Sequence, residues 1–194
     1  MQENDTIKKK LDKELVSLTL KNQDFFVYIM ERYQEKLFYY IRKISNLDKE
    51  DIEDLLQEIF IKAYQNLNAF DPNMKFSSWI YRIAHNQTID HFRKTKSRPQ
   101  IAFLEQDIKE EILNNVKSDF DIKKEIEKKE TKREVLDILN NLDDKYKEVL
   151  MLKFIEEKDY KEISDILKKP IGTVSTLINR AKKQFKKEFN INKI

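Results

Sequence analysis

Apolar residues recur along this chain at three- and four-residue steps. Between residues 24 and 44, Phe25, Ile29, Tyr33, Leu37, Tyr40 and Ile44 form a stripe that a helix gathers onto one side. A second stripe, over about 51 to 67, runs through Ile52, Leu55, Leu56, Ile59, Phe60, Ala63 and Leu67. Asp71-Pro72 interrupts the pattern, because a proline disfavours helical backbone in the residue before it. Ser77 is placed to cap a third helix, from about Ser78 through Arg93, with its hydroxyl accepting from the free amides of the first turn.

The pattern changes between residues 96 and 126. Pro99 follows a basic cluster, and Glu105 to Asp121 is mostly acidic with scattered Ile, Leu and Phe, the composition of a linker with short helical pieces at most. Helical spacing returns near Glu127 with Val135, Ile138, Leu139 and Leu142. Asp143 is placed to cap the next helix, which carries Tyr146, Val149, Leu150, Leu152 and Phe154. Asp159 and Glu162 have capping-box spacing and open a short helix ending at about Lys168. Pro170 and Gly172 mark a turn, and Thr173 can cap a last helix running toward Phe189. A short helix, a tight turn and a basic helix make a helix-turn-helix pattern.

Composition narrows the fold class. One Gly and three Pro in 194 residues leave little material for the tight turns of hairpins. The expectation is therefore an all-α protein of two small helical domains, residues 1–95 and 127–194, joined by a flexible linker, 96–126. The chain has no cysteine, so disulfides and thiolate metal sites are excluded. The longest apolar run, Phe25 to Met30, is far too short to span a bilayer, and the N-terminus has no secretory apolar core. Cytoplasmic residence is the default expectation.

The net charge of +3 says little, but its distribution says more. Asp48 to Glu58 holds six acidic residues against Lys49, a block that suits a protein partner. Arg82 to Arg98 holds five basic residues against Asp90, and Lys168 to the end holds eight against Glu188. Two basic blocks suit two nucleic-acid contacts, although either alone could be a solvated helix face.

In the C-terminal unit, Ile163, Ile166, Leu167, Ile171, Val174, Leu177 and Ile178 can pack the two helices crosswise. The face left to solvent would carry Ser175, Thr176, Asn179, Arg180 and Lys183, groups able to reach base edges and phosphates in the major groove. In the N-terminal unit, helical winding sets Trp79, Arg82, Asn86, Asp90 and Arg93 on one side, with Ile80, Ile83, Ala84 and His91 largely on the other. Cations could hold a phosphate backbone while Trp79 stacks on an unpaired base, a contact worth about 1–3 kcal/mol. A lone Trp beside Ile80 and Phe76 is otherwise more often core.

Several segments resemble the sigma-70 family of bacterial RNA polymerase sigma factors. Asp54-Leu55-Leu56-Gln57-Glu58, Phe70-Asp71, the run Phe76 to Ala84, Asn86, Asp90 and Arg93 are similar to sigma region 2. Leu142 to Leu150, Tyr160-Lys161-Glu162-Ile163, Pro170 to Val174 and Asn179-Arg180-Ala181 are similar to region 4. With only these two regions, the chain looks most like the small extracytoplasmic-function (ECF) subfamily. The resemblance implies a non-catalytic factor without cofactors that binds core polymerase, recognises −35 and −10 promoter elements and aids strand opening. It further implies that Asp54, Gln57 and Glu58 grip the β′ clamp. Phe70, Lys75, Phe76, Ser77, Trp79, Arg82, Asn86, Arg93 and Lys94 would meet the −10 element. Thr173, Ser175, Thr176, Asn179, Arg180 and Lys183 would meet the −35 element, in a domain that docks on the β flap. An anti-sigma factor is a further implied partner. The sequence departs from the family pattern at Ser164, Lys168 and Ser175, where Ala, Gly and a cation are usual; these positions bear on base preference.

Two other readings compete. A helix-turn-helix repressor or activator accounts for the C-terminal half equally well, but not for the acidic helix followed by the Trp–Arg–Asn face. An enzyme has little to build on. His85 and His91 lie about 240° apart around a helix and cannot share a ligand, and no phosphate loop or nucleophile motif is present.

Overall fold

The computed structural model describes residues 7–45, 47–94, 101 and 129–191. Eight α-helices and no strand occur among them: α1 (Asp12–Lys21), α2 (Phe26–Ile44), α3 (Lys49–Gln65), α4 (Phe76–Lys94), α5 (Lys129–Asn141), α6 (Asp144–Leu150), α7 (Tyr160–Leu167) and α8 (Ile171–Ile191). Short 3₁₀ turns precede α2 and follow α3, at Gln23–Phe25 and Leu67–Ala69, and a single π turn, Met151–Ile155, continues α6. The chain divides into two compact units near residue 99, with the stretch 43–46 grouped with the second. The linker expected at 96–126 lies outside the described residues except for Ile101.

In the first unit the expected stripes form the core, except that Phe25 is half-buried in the 3₁₀ turn and Phe26 is buried instead. Ile29, Tyr33, Leu37, Tyr40 and Ile41 of α2 are buried with Ile52, Leu55, Leu56, Ile59 and Ala63 of α3 and with Ile80, Tyr81 and Ala84 of α4. Each such aliphatic side chain contributes about 1.5–3 kcal/mol by leaving water. Aromatic pairs tie the helices together, with Tyr40 and Tyr81 at 4.9 Å between ring centroids and Phe26 and Phe60 at 6.3 Å. α3 begins two residues before its expected start, because the Asp48 carboxylate caps it by accepting from the Asp51 N–H at 2.9 Å. Glu50 and Asp51 in the first turn also complement the helix dipole.

The start of α4 corrects the expectation for Ser77. The Trp79 N–H donates to the Lys75 carbonyl at 3.2 Å, so the helix begins at Phe76 and Ser77 lies inside its first turn rather than capping it. Phe76, only 2% exposed, fixes this start by inserting its ring between Phe70 and Tyr33. Packing thus overrides the local preference of the serine.

In the second unit, α8 lies against α5, α6 and α7 and buries Val174, Ile178, Ala181, Phe185 and Phe189. Asp143 stands at the start of α6, but its side chain accepts from no first-turn N–H, since its carboxylate is drawn to the Lys145 ammonium at 3.0 Å. That hydrogen bond and its charge push the Lys145 pKa up. The Asp159–Glu162 capping box forms as expected, with reciprocal bonds of 2.8 and 2.9 Å. Lys168 then ends α7 in the left-handed conformation, at φ 51°. α8 starts at Ile171, directly after Pro170, whose carbonyl accepts from the Thr173 and Val174 N–H groups. Thr173 and Gly172 therefore belong to the first turn of α8, not to a cap and a turn. The reversal falls instead at Lys168, the position where the family pattern has Gly.

Candidate nucleic-acid interface

α8 presents one uninterrupted free face. Gly172, Thr173, Thr176, Asn179, Arg180 and Lys183 are all exposed, and their spacing places them on one side of the helix. Val174, Ile178 and Ala181 occupy the opposite side and are fully buried. The Thr176 hydroxyl donates to the Gly172 carbonyl at 2.8 Å, which fixes its rotamer and leaves its oxygen able to accept. Ser175 is half-buried at the edge of this face, and Ile171, expected in the core, is 53% exposed. At the turn before α8, the Ser164 hydroxyl donates to the Lys169 carbonyl at 2.6 Å. On the flank, the Lys182 ammonium lies 5.5 Å from the Phe154 ring centroid, and burial lowers its pKa from the usual 10.5.

In the first unit, α3 exposes Asp54, Gln57 and Glu58 on a single stripe, and Ile61 continues it at 58% exposure. Sequence reasoning missed Ile61, because only the acidic residues before it were counted. Its signal was the spacing, three residues after Glu58 and four after Gln57.

The loop from Phe70 to Lys75 rests on an aromatic cluster. Phe70, Phe76 and Trp79 are 8%, 2% and 8% exposed, with centroid separations of 5.3 to 5.5 Å between each pair of rings. The expectation of Trp79 on an open face with Arg82, Asn86 and Arg93 is thus corrected. Its ring is core, because Phe70 folds back over it. Ile83 and His91, expected on the buried side, are only half-buried. Above the cluster, Asp71 accepts from the Asn73 N–H at 2.8 Å through its side chain and from the Met74 N–H at 3.1 Å through its carbonyl, closing a tight turn. Lys75 projects into solvent next to it. Arg82 and Asn86 are half-buried, and Arg93 and Lys94 are exposed further along α4, where Arg93 pairs with Asp90 at 3.1 Å.

Arg82 is held under the loop by a weak acceptor, the Met74 sulfur at 3.3 Å. Its buried Nε–H has no hydrogen-bond partner among the described residues, and neither does the buried Ser78 hydroxyl. A guanidinium kept in place by thioether sulfur retains most of its capacity for an anion. No cluster of His, Cys, Asp or Glu among the described residues could hold a metal ion.

A helical chain with one basic helix-turn-helix and one loop-bearing unit of mixed charge belongs to the class of DNA-reading proteins. Residues 29–98 match the family model for sigma-70 region 2, and residues 132–185 match that for sigma-70 region 4. The chain is 34% identical over 179 residues to the ECF RNA polymerase sigma factor SigW of Bacillus subtilis, covering 86% of this chain and 90% of that one. It is 30% identical over 167 residues to the ECF sigma-E factor of Haemophilus influenzae, covering 81% and 83%. Among solved structures it resembles CnrH in complex with the cytosolic domain of CnrY, with a TM-score of 0.62, 22% identity and 93% and 97% of the two chains covered. It also resembles the sigma factor RpoE bound to the anti-sigma factor NepR from Bartonella quintana, with a TM-score of 0.55, 16% identity and 86% and 97% covered. The chain belongs to the ECF subfamily of the sigma-70 family, non-enzymatic factors that direct transcription initiation by RNA polymerase.

Proposed function

We propose that three exposed surfaces divide the work of this sigma factor. The α3 stripe of Asp54, Gln57 and Glu58, extended by Ile61, binds core polymerase at the β′ clamp. The loop through Lys75, with Arg82, Asn86, Arg93 and Lys94, holds the −10 strand as it opens; Phe70, Phe76, Ser77 and Trp79 form the base on which that loop stands. The α8 face of Thr173, Thr176, Asn179, Arg180 and Lys183, with Ser175 at its edge, reads the −35 element in the major groove, and its unit docks on the β flap. Residues 1–95 and 127–194 act as the two working domains, with 96–126 as their link. The chain works in the cytoplasm, consistent with the absence of any membrane-length apolar helix among the described residues. An anti-sigma factor is a fitting regulator, as two structural relatives are complexes of that kind or with a partner's cytosolic domain.

The observation that carries this reading is the α8 face, where six consecutive face positions are exposed above a fully buried apolar side. The test is initiation by core polymerase reconstituted with variants. Asp54→Lys with Glu58→Lys is expected to abolish polymerase pull-down. Arg180→Ala is expected to spare pull-down and weaken promoter binding, by about 1–3 kcal/mol if it contacts a base. Lys75→Ala is expected to spare both and reduce permanganate reactivity at −10. Trp79→Ala is a poorer probe than its exposed neighbour, because deleting a buried ring costs about 3–5 kcal/mol of stability. Unchanged initiation across all these variants would defeat the assignment.

A further inference from the structure

The −10 loop is braced in part by α1, which precedes the residues 29–98 that match region 2. Asp12, the first residue of α1, accepts from the Tyr33 hydroxyl at 2.5 Å and from the Arg32 guanidinium at 2.7 Å. Arg32 also donates to the carbonyls of Lys8 and Lys10, both at 2.7 Å, so one guanidinium fastens the whole approach to α1 onto α2. The Tyr33 ring lies 5.6 Å from that of Phe76, edge to face. Phe76 in turn touches Phe70 and Trp79, the rings beneath the loop. Helix α1 itself packs against both flanks of that loop, against the turn Leu67–Ala69 before it and against α4 after it. Leu15, Val16 and Thr19 form its buried side.

A phenylalanine at position 33 would pack on Phe76 just as well. The buried phenol therefore serves the bond to Asp12, which sets the angle at which α1 and the ring of Tyr33 meet the cluster. A buried hydroxyl without a partner is costly, so the orientation is strongly held. We infer that Asp12, Arg32 and Tyr33 are positioning residues for promoter opening. They fix the aromatic base on which residues 71–75 stand and so hold that loop ready for the displaced strand.

This inference rests on the reading of residues 70–75 as the −10 loop. Its test therefore carries Lys75→Ala as an internal reference. Holoenzymes with Tyr33→Phe, Asp12→Asn and the double variant are compared on duplex promoter and on the same promoter pre-opened by mismatches at −10. Tyr33→Phe is expected to spare polymerase binding and to lower permanganate-detected opening of the duplex about tenfold, the size expected for one hydrogen bond to a charged group. The deficit should vanish on the pre-opened template. The double variant should lose no more than Asp12→Asn alone, because Asp12 also holds Arg32 whereas Tyr33→Phe removes only the bond the two share. Trp79 is the chain's single tryptophan, so its fluorescence in the free protein reports the cluster directly. Its emission should shift in Tyr33→Phe and in Asp12→Asn alike. Normal duplex opening by Tyr33→Phe while Lys75→Ala fails would overturn the inference alone, as would additive loss in the double variant. Normal opening by Lys75→Ala as well would overturn the −10 reading and the inference with it.

Discussion

Lys168 holds the turn of the helix-turn-helix at φ 51° and ψ 42°, a conformation in which a side chain costs about 1 kcal/mol relative to glycine. The same turn is tied by the Ser164 hydroxyl to the Lys169 carbonyl, and the Lys168 and Lys169 N–H groups both reach the Ser164 carbonyl. Two departures from the family pattern thus meet in one structure, and the serine offsets the strain of the lysine. Lys168→Gly is expected to stabilise the protein by about 0.5–1 kcal/mol, less the entropy glycine adds to the unfolded chain. Ser164→Ala is expected to cost about 1 kcal/mol, and less than that in a Lys168→Gly background. Urea denaturation midpoints of the four proteins would check both the signs and the coupling. Ser78 has no such compensation, since its hydroxyl is buried without a partner among the described residues.

At the level of single helices, α7 shows how much a cap can carry. It has eight residues, too few to persist by propensity, and it is closed at one end by the Asp159–Glu162 box and at the other by Lys168. Asp159→Ala is expected to cost about 1 kcal/mol and to loosen the turn before α8, seen as faster amide exchange over Tyr160–Leu167. This box was legible in the sequence because capping depends on neighbours three residues apart. The same logic failed at Ser77 and Thr173, where helix starts are set by Phe76 burying itself and by Pro170 leading straight into α8. For Trp79, spacing left an open face and the core both in play. The periodicity of α4 alone cannot show that Phe70, nine residues earlier, folds over the indole. Stripes of apolar residues over α2, α3 and α5 were readable throughout, since their burial follows from spacing. The buckle of Asp12, Arg32 and Tyr33 was not, because its partners are twenty residues apart and lie on different helices.

Over the whole molecule, charge matters by where it is placed. A net charge of +3 gives the free chain little long-range pull on DNA, and the cations proposed to meet it are Lys75 and those of α4 and α8. The free chain is therefore expected to bind promoter duplex weakly, with specific binding appearing on addition of core polymerase. For the holoenzyme, removing Lys183, if it holds a phosphate as proposed, should lower the slope of log affinity against log salt by about one. A filter-binding series across ionic strength would measure it. Arg180→Ala should instead change the preferred −35 sequence, which selection from a randomised promoter pool would reveal.

Every hydrogen bond and ring contact described for the first unit joins residues between 8 and 94. The core contacts named for it lie within the span from α1 to α4. Helical units of this size fold in microseconds to milliseconds, whereas a ribosome adds about 5–20 residues per second. The hundred residues that follow Lys94 take about 5–20 s to make at that pace. For those seconds the half that would open DNA is finished and the half that would find it has yet to be translated. On the proposed reading, a nascent chain at that stage is expected to engage polymerase with no means of choosing a promoter upstream.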